Sequence, residues 1–152
     1  MAAMKDRLRA ELTKSMKTRQ ALRSSTFRMV LTAITNAEVA GKQARELTDD
    51  DVTSVLASEA KKRREAATAY DDAGRTELAA KERAEAGIIA EFLPEPLTDA
   101  DITNLVTTTI AELGVADDGM RAMGKVMGAV TPRTRGRADG AKVSAEARRQ
   151  LG

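Results

Sequence analysis

The stretch MGKVMGAVTPRTRGRADG, residues 123–140, holds the side chains with the clearest chemical potential. Read with the residues before it, Gly119-Met-Arg-Ala-Met-Gly124-Lys125 fills the first seven positions of G-x-x-x-x-G-K, the spacing in which backbone N–H groups and a lysine surround a nucleotide's phosphates. The eighth position is Val126, where such a loop needs a Ser or Thr hydroxyl for Mg²⁺. No strand signal precedes Gly119, and the carboxylates of Asp117 and Asp118 stand close to where phosphates would lie. Nucleotide binding is therefore not expected here. The spacing instead predicts that Gly124 and Gly128, one turn apart, let two helices approach closely, with Met123, Val126, Met127 and Val130 filling the core around them.

Arg133, Arg135 and Arg137 offer a different chemistry. They are three guanidinium groups on alternate residues of a loop containing Pro132 and Gly136, with Arg121 and Lys125 nearby in sequence. Such a set suits the phosphates of a polynucleotide backbone, because the planar fork matches phosphate oxygens better than an ammonium does. Contacts of this kind supply affinity without reading a base sequence. The competing use is internal: these arginines can cap the helix ahead of Pro132 or pair with Asp139. Phe27, Tyr70 and Phe92 are the whole aromatic complement, so there is no platform for stacking bases and single-strand recognition is disfavoured. Elsewhere, Glu82 and Glu85 lie three residues apart on one helix face, where two carboxylates can share a proton or a metal, or pair with Arg or Lys across a helix interface. The row Glu59, Lys61, Lys62, Arg63, Arg64, Glu65 reads as a solvated helix face with i, i+4 pairs such as Glu59 with Arg63.

Absent residue types narrow the chemistry further. The chain has no cysteine and no histidine, which removes disulfides, thiolate nucleophiles, Ser-His-Asp and Cys-His arrangements, and zinc sites built on those ligands. No EF-hand spacing appears, and no metal or cofactor is expected. The N-terminal MAAMKDRLRAELTKSMKTRQ carries charges throughout, and no segment is a continuous apolar span, so a cytoplasmic protein without membrane association is expected. Net charge is close to balanced at +2, but its distribution is not. Residues 1–28 hold eight Lys/Arg against two Asp/Glu, residues 29–119 nine against nineteen, and residues 120–152 eight against two. Basic ends around an acidic middle allow anion binding at the ends and also internal contact between ends and middle.

These groups must be positioned by helices. Few aromatics and an abundance of Ala, Leu, Glu, Lys, Arg and Met predict an all-α fold. Leu8, Leu12 and Met16 predict a first helix over about 3–20. Ser24-Ser25-Thr26 predict the cap of a second, which carries Phe27, Val30, Leu31, Ile34 and Ala37 and stops at Gly41. Thr48 to Asp51 has the form of a capping box opening a third helix, a partly exposed rod reaching Gly74. A fourth carries Leu78, Ala86, Ile89, Phe92 and Leu93 up to Pro94-Glu-Pro96. Thr98 to Asp101 repeats the box before the apolar stripe Ile102, Leu105, Val106, Ile110, Leu113 and its stop at Gly114. Two shorter helices follow, over about 119–130, stopped by Thr131-Pro132, and from Asp139 as N-cap to about Leu151. The division expected is an N-terminal helical domain of about four helices at 1–93, a proline-containing linker at 94–97 and a C-terminal three-helix bundle at 98–152.

The segments RSSTFRMVLTA from Arg23 to Ala33, EAATAYDDAGRTELAAKERAE, FLPEPLTDADI and above all MGKVMGAVTPRTRGRADGAKV resemble the YqeY family, also called the GatB/YqeY domain family, in the family's order over essentially the whole chain. The resemblance implies a C-terminal part like the tail domain of the B subunit of aspartyl/glutamyl-tRNA amidotransferase, which helps hold the tRNA while kinase and transamidation chemistry resides elsewhere. Carried onto this sequence, it assigns the tRNA-facing motif to Gly124, Lys125, Gly128 and Arg133 to Gly140, which includes Gly136 and Asp139, and weights Lys125 and Arg137 above Arg133 and Arg135. The family label of a carbon–nitrogen ligase with glutamine as amido-N-donor finds no glutaminase, nucleotide or kinase segment here, so no catalytic residue is expected. The expectation is a tRNA-binding or amidotransferase-associated accessory protein. Its expected partners are tRNA and tRNA amidotransferase or aminoacyl-tRNA machinery, and neither DNA nor membrane. The alternatives are a protein–protein interaction module without RNA binding and, ranked last, a glutamine-dependent carbon–nitrogen ligase component.

Overall fold

A computed structural model describes Ala3–Gly152; Met1 and Ala2, which the expected domain 1–93 includes, lie outside the described residues. Among the described residues the chain forms seven α-helices and one 3₁₀ turn, with no strand, in keeping with the all-α expectation. It divides into two compact units, one ending at Leu93 and one running Pro94–Gly152.

The N-terminal unit holds α1 (Ala3–Lys17), α2 (Ala21–Glu38), α3 (Asp49–Asp72) and α4 (Thr76–Ala90). Leu8, Phe27, Val30, Ile34, Leu47, Val52, Leu56, Ile89 and Phe92 make its core, each burial stabilising by roughly 1.5–3 kcal/mol. Phe27 and Phe92 meet edge to face with ring centroids 5.6 Å apart. The box at the start of α3 forms as the sequence predicts: Thr48 Oγ1 accepts from the Asp51 N–H at 3.2 Å and Asp51 accepts from the Thr48 N–H at 3.1 Å. Gly74, at φ +73°, turns α3 into α4, and the two pack as a hairpin.

Four boundaries of this unit differ from expectation, among them that of α4, which ends at Ala90 and leaves Phe92 and Leu93, expected on it, in the turn that follows. The first helix stops at Lys17, short of residue 20, because the chain turns through Arg19 at φ +58°. The second begins at Ala21, not at the Ser24-Ser25-Thr26 cap. Ser24 is instead buried inside α2, its hydroxyl 2.9 Å from that of Ser15 on α1, and the Thr26 hydroxyl donates to the Leu22 carbonyl at 2.8 Å. These hydroxyls find partners without capping, so their capping preference is overridden. The same helix ends at Glu38, before Gly41, where the Glu38 carboxylate takes Lys5 Nζ at 2.8 Å and the Leu47 N–H at 3.2 Å.

The C-terminal unit holds α5 (Asp99–Leu113), a 3₁₀ turn (Gly119–Ala122), α6 (Met123–Thr134) and α7 (Gly140–Leu151). Its core is Ile102, Val106, Ile110, Val115, Val126, Val130, Val143, Ala147 and Leu151, with Met123 and Met127 packed beside it. Thr98 and Asp101 close the second box, and Gly114 ends α5 at φ +67°. Asp139 caps α7 as predicted, its carboxylate accepting from the Ala141 N–H at 3.0 Å. The stop predicted at Thr131-Pro132 does not occur: α6 runs through Pro132 to Thr134. Pro132 stands in the last turn, so its missing N–H removes a single bond, and the Arg135 N–H closes on the Thr131 carbonyl at 3.1 Å.

Candidate nucleic-acid interface

Val126, Val130 and Thr134 recur every four residues and are buried, seating α6 on its own unit's core. The opposite face carries Lys125, Gly128 and Pro132 at i, i+3 and i+7, and Arg121 stands in the 3₁₀ turn that leads into the helix, all four exposed. Lys125 makes no ion pair or side-chain hydrogen bond with any described residue. Arg121 spends only a 3.4 Å contact from its Nε on the Asp118 carbonyl. The phosphate-loop spacing is wound as a 3₁₀ turn running into α6, with Lys125 in the helix's first turn. The close helix approach predicted at Gly124 and Gly128 is not found either. A Cβ at either position would meet nothing within 4 Å, so both glycines leave bare backbone open to the outside.

The three arginines that alternate in sequence have three different environments. Arg133 lies in the last turn of α6, its guanidinium 3.4 Å from Glu112 on α5, with both side chains about half exposed; such pairs are worth about 0–1 kcal/mol. Arg135 caps the end of α6, half-buried and engaged within the chain. Gly136, at φ +73°, then reverses the backbone. Arg137 is half-buried, its Nε donating to the Glu95 carbonyl at 2.9 Å while its own carbonyl accepts from the Leu97 N–H at 2.8 Å. The segment 94–97, expected as a linker, is thereby tied to Arg137. Asp101 completes this corner. Hydrogen bonds from Thr98 hold its carboxyl below the ordinary aspartate range, and the nearby Arg137 charge adds a smaller share. One Arg-rich loop with three parallel guanidinium groups is thus not what the sequence folds into.

Other basic side chains complete the unit's surface. Lys142 lies 3.3 Å from Asp99, and Arg149 Nε donates to Glu146 at 2.7 Å. Arg148 on α7 is exposed and meets no partner among the described residues. It belongs to the basic segment 120–152 but lies in no motif, which is why spacing alone passed over it.

In the N-terminal unit the charged row on α3 is not simply solvated. Glu59 is buried, 8% exposed, and pairs with Arg63 at 3.8 Å; Arg63 Nε also reaches Glu85 at 3.3 Å and Glu82 at 3.8 Å on α4. The predicted i, i+4 pair therefore exists, but it faces inward and ties two helices together. Among the described residues no group of three or more Asp, Glu, His or Cys is placed to hold a metal ion, and no helix is long and apolar enough to cross a membrane.

An uncharacterized protein of Schizosaccharomyces pombe (strain 972) is 38% identical to this chain over 89 residues, which span 58% of this chain and 70% of that protein. Residues 5–151, nearly the whole length, match the family described as Yqey-like protein, and the chain belongs to that family.

Proposed function

We propose that the C-terminal unit docks folded RNA of the tRNA class, and that the protein serves tRNA-linked chemistry as a helical accessory without making bonds itself. The observation that carries this is Lys125. It is exposed, makes no ion pair or side-chain hydrogen bond among the described residues, follows the 3₁₀ turn that holds Arg121, and lies on a helix face whose glycines leave room for a polyanion's backbone to come close. Arg133 supplies a further charge, since its exposed pair with Glu112 exchanges readily for a phosphate. Arg137 acts as a positioning residue, holding the corner in place through Glu95 and Leu97. The likeness of this motif to the tail domain of the amidotransferase B subunit supports tRNA as the RNA and amidotransferase or aminoacyl-tRNA machinery as the setting.

Binding to total tRNA, titrated against salt with the wild type and an Arg121→Ala/Lys125→Ala/Arg133→Ala variant, tests it. Log affinity should fall linearly with log salt, and the variant's slope should be shallower by somewhat under one unit per lost contact. Equal slopes would remove the proposal. Negligible tRNA retention together with protein partners recovered after RNase treatment would replace it with a protein-interaction module. Glutamine-dependent amide formation by the purified chain would refute the statement that it makes no bonds.

A further inference from the structure

Arg63 stands among three carboxylates. Glu59, one turn earlier on α3, brings Oε2 to 3.8 Å from one terminal nitrogen of the guanidinium, and Glu85 and Glu82 on α4 bring theirs to 3.3 and 3.8 Å from its Nε. All four side chains are between 11% and 21% exposed. The remaining charges facing the group are Lys62 on α3, 3.7 Å from Glu59 but itself 64% exposed, and Lys81 on α4. From α2 the Met29 sulfur touches the Arg63 guanidinium. Three carboxylates, Glu59 buried and Glu82 and Glu85 partly so, therefore share one partly buried guanidinium.

Hydrogen bonding is incomplete in the same place. Oε2 of Glu59, a residue more than nine-tenths buried, and Oε2 of Glu82 are shut off from solvent with no hydrogen-bond partner among the described residues. A buried acceptor without a donor is costly, and two carboxylates crowded together cannot both stay ionised cheaply. For Glu82 Oε2 a proton on the neighbouring carboxyl meets both needs, the missing donor and the crowded charge, while Glu59 Oε2 keeps its ion contacts with Lys62 and Arg63 at 3.7 and 3.8 Å. Glu82 and Glu85, three residues apart, share a face of α4 and reach the same guanidinium nitrogen.

We propose that Glu82 and Glu85 bind one proton between them, taken from solvent, with the neutral Glu85 carboxyl donating to Glu82 Oε2. The α3–α4 hairpin then carries a proton site at its interface. The electrostatics run the same way: burial pushes the Glu85 carboxyl up from the ordinary 4.5, the Glu82 charge pushes it further, and Arg63 and Lys81 pull it partly back. A raised native value means that the folded chain holds the proton more tightly than the unfolded one. The stabilisation is therefore complete below the ordinary glutamate value and is lost as pH rises through the raised one.

Carboxyl-carbon NMR titration of the full chain tests this directly. The Glu85 carboxyl carbon should titrate with its midpoint above the ordinary glutamate value. Glu82→Gln should bring the Glu85 midpoint down. Amide exchange in α3 and α4, corrected for intrinsic rates, should be several-fold slower at the acid end of the window, a difference that Glu85→Gln abolishes. A Glu85 midpoint at or below the ordinary value in the wild type would overturn the proposal, and this readout requires no variant to fold.

Discussion

Arg137 holds Glu95 and Leu97 from both ends of its own structure, the side-chain Nε donating to the Glu95 carbonyl at 2.9 Å and the backbone carbonyl accepting from Leu97 at 2.8 Å. A residue used this way holds the corner of the C-terminal unit in place. Arg137→Ala should lower the stability of the C-terminal unit by about 0.5–1.5 kcal/mol. It should also speed amide exchange at Leu97. Urea denaturation followed by exchange at that amide checks both. Arg137→Lys should recover little of the loss, because an ammonium lacks the Nε donor direction. A salt slope for tRNA binding reduced as much as by a direct phosphate contact would mean that Arg137 touches RNA itself.

Lys125 and Arg121 predict the opposite pattern. Neither holds a carboxylate among the described residues, so their replacement by alanine should leave stability within about 0.5 kcal/mol of wild type. Each should reduce the salt slope of tRNA binding by about 0.7–0.9. Thermal melts and binding isotherms on the same preparations separate the two effects.

Gly124 and Gly128 are helical, exposed and unobstructed. Alanine at Gly128 should therefore raise stability by about 0.5–1 kcal/mol, as removal of an interior helical glycine does where the new Cβ has room. A bulky Gly128→Leu should fold equally well and weaken tRNA binding if the RNA backbone lies against this face. Melting temperature and affinity read in parallel decide it; unchanged affinity for the leucine variant would put the contact elsewhere on the unit.

Glu38 gives the N-terminal unit an acid-sensitive tie. The Lys5 ammonium lowers its carboxyl below the ordinary 4.5, and the Leu47 N–H lowers it further. Because the native value is depressed, the stabilisation is present above the ordinary value and is lost as pH falls through the native one. Denaturation midpoints of wild type and Glu38→Gln should thus differ most near neutral pH and converge on acidification. A gap that does not narrow below the ordinary glutamate range would rule out this tie.

Capping and turn chemistry were the most legible parts of the chain. The two Thr-x-x-Asp boxes, Gly74, Gly114 and the Asp139 cap stand where spacing places them, because each depends on neighbours within one turn. Ser24-Ser25-Thr26 misled for a different reason. The Ser24 preference for a cap lost to burial against α1, and Ser15, nine residues away, gives no local sign of supplying the partner, while the Ser25 and Thr26 hydroxyls donate back to the Leu22 carbonyl. The stop at Pro132 failed because a proline in a final turn forfeits little, and sequence does not say how many residues of helix remain.

The candidate interface divides along the same line. The apolar residues Val126 and Val130 and the excess of basic charge in residues 120–152 could be read from sequence alone, but the close helix approach expected at Gly124 and Gly128 was not found, and the face that carries them is exposed. Only the tertiary structure decided which basic residues stay available: Arg133 meets Glu112 and Arg137 meets Glu95, partners 21 and 42 residues away. It also turned Arg63 from a surface charge into the centre of three carboxylates. Which opposite charge a side chain meets depends on how helices cross, and that distance is set by packing across the chain.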